Sequence, residues 1–444
     1  MNVLEKFRAH ILFELVVLSE ISMSYNISTK LIDVDNYSIL KELHQRYKGP
    51  VWIYDADIIV DRIKQLKQFD VVRFAQKSCS NIHILKLMHN NGVKIDAVSL
   101  GEIERALLAG FIPGNQNSEI IFTADILEEE ALMRILELRI PVNIGSIDML
   151  TQLGFYSPGH EVWLRINPGF GHGHHHKTNT GGENSKHGVW HEDIPKALSF
   201  IHRYNLQLIG FHMHIGSGLD YDHLAKVSKA MIQQVVRHQT DLQVISAGGG
   251  LTIPYQYDDE VININNYFHL WNNAKQYISK YLGHTIRLEI EPGRFLVAES
   301  GILVSQIRAI KKVGSRCFVL IDAGYNDLMR PAMYGSYHHI SLIPGDSRII
   351  ISTEKFNDVI IGGPLCESGD IFTQNKYGSI LSRKLPSSAK VGDYLVFHDT
   401  GAYGASMSSN YNTRPLLPEF LLENGRIRQI RRKQNLSDLF TLEI

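Results

Sequence analysis

Only three cysteines occur in the 444 residues, Cys79, Cys317 and Cys366, and none forms a C-x-x-C or zinc-finger spacing. Neither a disulfide framework nor a structural zinc is indicated. An excess of one charge is also missing: 45 Lys+Arg against 46 Asp+Glu leave a net charge of −1. No electrostatic reason remains to expect nucleic acid or a membrane surface as partner. No stretch approaches the ~20 apolar residues of a membrane span. The run HILFELVVL (10–18) is short, is interrupted by Glu14 and lacks a small-residue cleavage site, so it does not read as a signal peptide. The glycine-rich GFGHG (169–173) opens no helix and is no dinucleotide fingerprint. The basic run 426–433 alternates in part with apolar residues and reads as a strand with its arginines in solvent. A cytoplasmic globular protein is expected.

What is present is a repeating unit. With 44% hydrophobic and 20% charged residues the chain suits two domains. From 52 to 297 a short strand, a turn and an amphipathic helix recur. Strands are expected at 71–77, 93–98, 119–124, 140–145, 161–167, 207–214, 242–247 and 285–291. Between them lie helices such as Gly101–Gly110, with Ile103, Ala106, Leu107 and Ala109 on one face, and Asp220–His238. Eight such alternations predict an α/β fold, a (β/α)8 barrel over 52–297. After 298 short β-type runs take over (ILVSQIRAI, CFVLIDA, VIIGGPL, DYLVFHD). They predict a second, mostly β domain from 298–444, joined by the lead-in 23–51.

In such barrels chemistry gathers at the C-terminal strand ends. The first strand ends in Lys77, the sixth in His214-Ile215-Gly216-Ser217. The seventh runs into Gly248-Gly249-Gly250, the eighth into Glu291-Pro292-Gly293-Arg294. Consecutive glycines let backbone N–H groups approach an anion unobstructed, and loops after strands seven and eight are the usual phosphate position. Alone, the three glycines also suit a plain tight turn, and Lys77 alone also suits a lysine reaching solvent. Together they point to pyridoxal phosphate (PLP). Its aldehyde needs an amine that can lose its proton, which a partly buried Lys77 offers. Its ring nitrogen needs an acid partner, which Glu291 offers, and its ring a flat neighbour, which His214 offers.

The stretches RFAQKSCSNIHILKLM, DAVSLGEIERALLAGF, HMHIGSG, SAGGGLTIPY, EIEPGRFLV, DAGYNDLMRPAMYGSYHHI, GPLCESGD and GDYLVFHDTGAYGASMSSNYN resemble, in order, bacterial diaminopimelate decarboxylases. The resemblance runs from about residue 23 to 444 and implies that residues 1–22 are an N-terminal extension, consistent with an upstream start before Met23. It implies a PLP enzyme with a barrel and a β domain, related in fold to alanine racemase. The implied reaction removes CO2 from the D-centre of meso-2,6-diaminopimelate and yields L-lysine. It also implies a homodimer with shared active sites. It makes Lys77 the residue bonded to the cofactor, His214 the ring neighbour, and Ser217, Gly250, Gly293 and Arg294 the phosphate neighbourhood. Glu291 becomes the ring-nitrogen partner. Arg294, Arg330, Tyr334 and Glu367 would hold substrate, Tyr403 both substrate and cofactor, and Cys366 would return a proton.

The chemistry is consistent with these roles. A guanidinium fork such as Arg330 suits the distal carboxylate, and Glu367 the distal ammonium. The histidines 172, 174, 175 and 176 fall in a Gly/Asn/Thr-rich loop through Gly188 that resembles the family's active-site loop, and no metal is expected. Two rivals stand beside this reading. One is a decarboxylase of the same fold acting on arginine, ornithine or carboxynorspermidine, against which Arg330 argues. The other is a non-catalytic PLP-binding barrel, against which the β domain with Cys366 and Tyr403 argues.

Overall fold

The computed structural model describes residues 37–114, 118–171, 180–214, 216, 221–351 and 353–443. The extension 1–22, the histidines 172–176 and Ser217 lie outside the described residues. In chain order the strands are β1 (Val51–Asp55), β2 (Val71–Ala75), β3 (Lys94–Ala97), β4 (Ile120–Ala124), β5 (Val142–Ile144) and β6 (Glu161–Asn167). Then come β7 (Val189–Trp190), β8 (Gln207–His212), β9 (Val244–Ser246), β10 (Arg287–Ile290), β11 (Gly301–Val313) and β12 (Arg316–Ile321). The series ends with β13 (Ile340–Ile343), β14 (Phe356–Gly362), β15 (Arg383–Pro386), β16 (Tyr394–Phe397), β17 (Glu419–Glu423) and β18 (Arg426–Arg431).

Strands β2, β3, β4, β5, β6, β8, β9 and β10 pair in parallel, each with its neighbours, and β10 closes on β2. This is the eight-stranded barrel expected from the alternating pattern. Its helices carry local signals. Ser99 caps Leu100–Ala109 by accepting from the Glu102 N–H at 3.2 Å, and the Glu102 carboxylate reaches back to Val98 N at 2.9 Å. Gly110 ends that helix at φ +103°, a conformation an L side chain strains to adopt. Inside the barrel, Ile121, Trp163, Ile209 and Val244 form an apolar layer. The buried Arg73–Glu289 ion pair, 2.7 Å, lies beside it, with the guanidinium 5.9 Å from the Trp163 ring centroid.

The other sheet runs β15-β14-β12-β11-β1-β17-β18, with β16 on β11 and β13 on β16. It is the mostly β part expected after residue 298. One boundary is corrected here. Residues 52–55 read as the start of the barrel, but β1 pairs antiparallel with β11 and parallel with β17. All five of its residues are buried, so it needs a sheet on both sides, and only the β part supplies one. The helix Tyr37–Tyr47 packs Leu40 and Leu43 against Val51, Ile302, Val304 and Phe420 of the same part. The basic strand β18 leaves Arg426 and Arg428 exposed, as expected. No helix among the described residues is long and apolar enough to cross a membrane.

Candidate active site

The strand carrying Lys77 stops at Ala75, two residues earlier than expected. Lys77 sits in a one-turn 3₁₀ helix, Gln76–Ser78. Its neighbours Gln76 and Ser78 are fully buried, while Lys77 itself is exposed rather than partly buried. The turn is tied on both sides. Gln76 Nε2 donates to Ser80 Oγ at 2.8 Å and to Glu102 O at 3.1 Å. The Ser78 carbonyl accepts from Tyr403 N at 2.8 Å and from Ser406 Oγ at 3.0 Å. The β part thus fixes the backbone that presents the amine. Tyr403 holds φ +56° to make that contact.

Glu291 is buried two residues beyond Glu289, on the same inward face. His212 Nε2 lies 2.7 Å from Glu291 Oε2, and Ser246 Oγ donates to Oε1 at 3.3 Å. Burial alone would raise this carboxyl's pKa. The His212 imidazole and the Arg73 and Arg165 charges outweigh burial and hold it below the usual carboxylate range. The nearby Asp96 is pushed the other way, to about 7, first by burial and then by the Glu291 charge, with Lys77 opposing. Two carboxyls of one cavity are thereby driven apart, a pattern that marks functional sites. His214 follows β8; burial, then the Arg165 and Lys77 charges, keep it neutral well below 6.5.

The β9 exit, Gly248–Gly250, has φ +63° at Gly248 and +106° at Gly250. A Cβ on Gly248 would stand 2.5 Å from His214 Cβ, and one on Gly249 2.6 Å from Glu291 O. One on Gly293 would press on Ser78 Oγ at 3.1 Å. Strand exits 2, 8, 9 and 10 therefore converge only because these residues lack side chains. Across the mouth, His187 Nδ1 pairs with Asp125 Oδ2 at 2.6 Å, and Gly188 N donates to Asp125 Oδ1 at 3.0 Å. Thr180 Oγ1 donates to His214 O at 2.8 Å.

Two guanidiniums complete the site. Arg294 Nη1 donates to Tyr255 OH at 2.7 Å, and its charge lies 5.2 Å from the Tyr403 ring centroid. Arg330, only 4% exposed, begins the short helix Arg330–Tyr334 and lies 4.8 Å from the Tyr255 ring centroid. Tyr334 is felt by Arg294. Among the described residues no carboxylate forms an ion pair with either arginine. Asp399, which feels Arg330, is itself pushed up to about 7 by burial and Glu299.

Lys77, His214, Glu291 and Gly293 lie about the converging strand exits, Gly250 belongs to the β9 exit, and Arg330, Tyr334 and Tyr403 gather around Arg294. Cys366 and Glu367 join neither group within this chain. Both are exposed; Cys366 N donates to Asn412 Oδ1 at 3.1 Å, and Gly369 N donates to Glu367 Oε1 at 3.3 Å. Sequence reasoning missed Asp96, Arg165, His212, Tyr255 and His338. Of these, Arg165 and His212 had a legible signal, a charged or ionisable residue inside an otherwise apolar strand.

The cluster of residues suits a phosphorylated pyridine aldehyde on its own observations. It offers an accessible amine, an ionised carboxylate held by His212, and a side-chain-free glycine rim. Asp96 Oδ1 and His214 Nδ1 are buried with no hydrogen-bond partner among the described residues.

Comparison with known proteins agrees. Residues 55–298 match the family model for the pyridoxal-dependent decarboxylase, pyridoxal binding domain. The chain is 60% identical to the diaminopimelate decarboxylase of Escherichia coli K12 over 405 residues, which cover 91% of this chain and 96% of that one. A crystal structure of a diaminopimelate decarboxylase, 60% identical, superposes with a TM-score of 0.89 over 93% of this chain and 97% of that one. The Helicobacter pylori diaminopimelate decarboxylase complexed with L-lysine, 32% identical, gives 0.79 over 91% of this chain and 98% of that one. With its barrel, its β part and its strand-end cluster, the chain belongs to the diaminopimelate decarboxylase family of PLP-dependent enzymes.

Proposed function

We propose that this decarboxylase removes CO2 from the D-centre of meso-2,6-diaminopimelate to give L-lysine, at a site completed by a second copy of the chain. The observation that carries the substrate reading is the Arg294–Tyr255–Arg330 cluster. Among the described residues neither guanidinium, Arg330 buried and Arg294 half-buried, has a carboxylate partner, so the two suit a carboxylate at the far end of the substrate. Arginine or ornithine offers no such distal group.

PLP would supply an electron sink for the pair left when the C–CO2 bond breaks. The chain's residues supply the rest. Lys77 would hold the cofactor through its aldehyde; Glu291, its pKa kept below the usual carboxylate range, would partner its ring nitrogen, and His214 would be its flat neighbour. The amides of Gly250 and Gly293, with Arg294 and Ser217, take the phosphate. Arg330 and Tyr334, together with Arg294, take the distal carboxylate, Glu367 the distal ammonium, and Tyr403 touches cofactor and substrate. The Cys366 thiol delivers the proton that replaces CO2.

Cys366 and Glu367 stand exposed on the β part, facing no member of their own chain's cluster. A twofold dimer would bring each pair into the other subunit's site. Lys77→Ala and Cys366→Ala, each nearly inactive, are unfolded and refolded together with meso-diaminopimelate as substrate. About half of the dimers are mixed, each with one intact site of two, so activity returns to about a quarter of wild type. No recovery despite demonstrated subunit exchange would place Cys366 in its own chain's site.

A further inference from the structure

Arg330 is held by groups that leave its charge uncancelled, and one of them has a fixed protonation state. His338 Nε2 lies 2.8 Å from Arg330 Nη1, and His338 Nδ1 lies 2.8 Å from the carbonyl oxygen of His398. A guanidinium can only donate and a carbonyl can only accept. The imidazole must therefore carry its hydrogen on Nδ1 and present a lone pair at Nε2. It is neutral because both neighbours require it. Burial, then the Arg330 charge, reinforce this by holding its pKa well below 6.5.

The ring is 3% exposed and stands edge-on to Tyr255, centroids 5.6 Å apart at 83°. Tyr255 is the residue whose face carries Arg330. The guanidinium is thus gripped along one edge by His338 and across one face by Tyr255. The carbonyl that orients His338 follows β16, whose partner β13 begins two residues after His338. The grip is anchored in paired strands. An acid in the place of His338 would fix the arginine equally well but would neutralise it and compete with an incoming carboxylate.

We infer that His338 is a specificity-positioning residue, a neutral acceptor that aims Arg330 at the distal carboxylate of the substrate. The inference rests on the reading of Arg330 given above, and the experiment separates the two. The holoenzyme is compared with His338→Leu, His338→Gln and Arg330→Met, using meso-diaminopimelate and D-lysine, which lacks the distal carboxylate.

His338→Leu is expected to raise KM for meso-diaminopimelate by about 10- to 100-fold with a much smaller change in kcat, as for lost binding common to ground and transition states. The kcat/KM for D-lysine should move little. Gln can accept from Arg330 and donate to His398 O, so His338→Gln should recover most of the loss. The Leu change added to Arg330→Met should cost nothing further, since His338 acts through Arg330.

If Arg330→Met leaves the preference for meso-diaminopimelate intact, the Arg330 reading fails. If Arg330→Met abolishes the preference but His338→Leu keeps wild-type KM and preference, the positioning role of His338 is overturned. Equal losses on both substrates, tracking a lowered Tm, would also overturn it. Should His338→Leu not fold, His338→Gln against His338→Asn, which is too short to span both partners, gives the same contrast.

Discussion

Two arginines inside this molecule illustrate opposite ways to bury a guanidinium. Arg73, deep in the barrel, is closed off by Glu289 at 2.7 Å, with both side chains almost fully buried. Arg330, at the mouth, is as buried but is held by a neutral imidazole and a phenol ring. In the first case the charge is cancelled within the fold. In the second the geometry is fixed while the charge remains available. An unpaired buried charge is costly. Among the described residues Arg330 keeps such a charge with no carboxylate partner, as a binding site would require, whereas Arg73 is paired as a structural element would be.

The contrast presumes that the mouth is the working end, which Lys77 tests with the largest effect. Lys77→Ala should abolish turnover, because no other amine replaces the one presented by the Gln76–Ser78 turn. Borohydride reduction of the wild-type holoenzyme followed by peptide mapping should place the pyridoxyl group on Lys77. A label on another lysine would move the site.

Next comes the open arginine. Wild-type enzyme should prefer meso-diaminopimelate over D-lysine by about 10⁴, since a site built around a charged partner rejects an analogue without it. Arg330→Met should remove most of that preference while Tm holds or rises, because an uncompensated buried cation is gone. A Tm fall as large as that of the Arg73 variant would erase the distinction between the two sites.

The closed arginine should behave in the reverse sense. Arg73→Met strips the buried Glu289 of its close partner and leaves it only Arg287 at 4.0 Å, at a cost of up to about 3–5 kcal/mol. Replacing both Arg73 and Glu289 by apolar residues of similar volume should recover most of it. Denaturant unfolding measures both, and substrate preference should be unchanged in whatever folds.

These effects also show what the sequence could reveal. The barrel strands were legible because each is a short β-rich run followed by an amphipathic helix, a local signal. Lys77, Glu291, His214 and the glycines were legible because strand ends punctuate that pattern. The partners of β1 were not, since β17 lies more than 350 residues away and a fully buried strand looks the same in a barrel or a sheet. Nor were Tyr255 and His338. Their importance depends on Arg294 and Arg330 converging from separate segments, and a single Tyr or His carries no mark of that. The separation of Cys366 and Glu367 from the rest was expected only through the family resemblance, which implied shared sites, because chain order alone does not say whether a loop returns to its own barrel or to a neighbour's.

The smallest expected effect concerns the anchor of the open site. His398, whose carbonyl orients His338, is 3% exposed, and its own Nε2 meets Ser341 Oγ at 2.8 Å. Burial, then the adjacent His339, bring its pKa from 6.5 to about 3. Between those values the unfolded chain binds a proton that the folded one does not. Its contribution is therefore fully present above about pH 6.5 and declines as pH falls, by roughly 1.4 kcal/mol per pH unit, or about 2 kcal/mol at pH 5. His398→Gln keeps the backbone carbonyl that holds His338 and a side chain able to bond Ser341, but removes the titration. Its stability between pH 6.5 and 5 should fall less steeply than wild type by that amount, with His338 and His214 contributing the remaining slope. An identical slope in the two proteins would mean that His398 takes up its proton without leaving the fold, and that the anchor of Arg330 tolerates a charge it is built here to exclude.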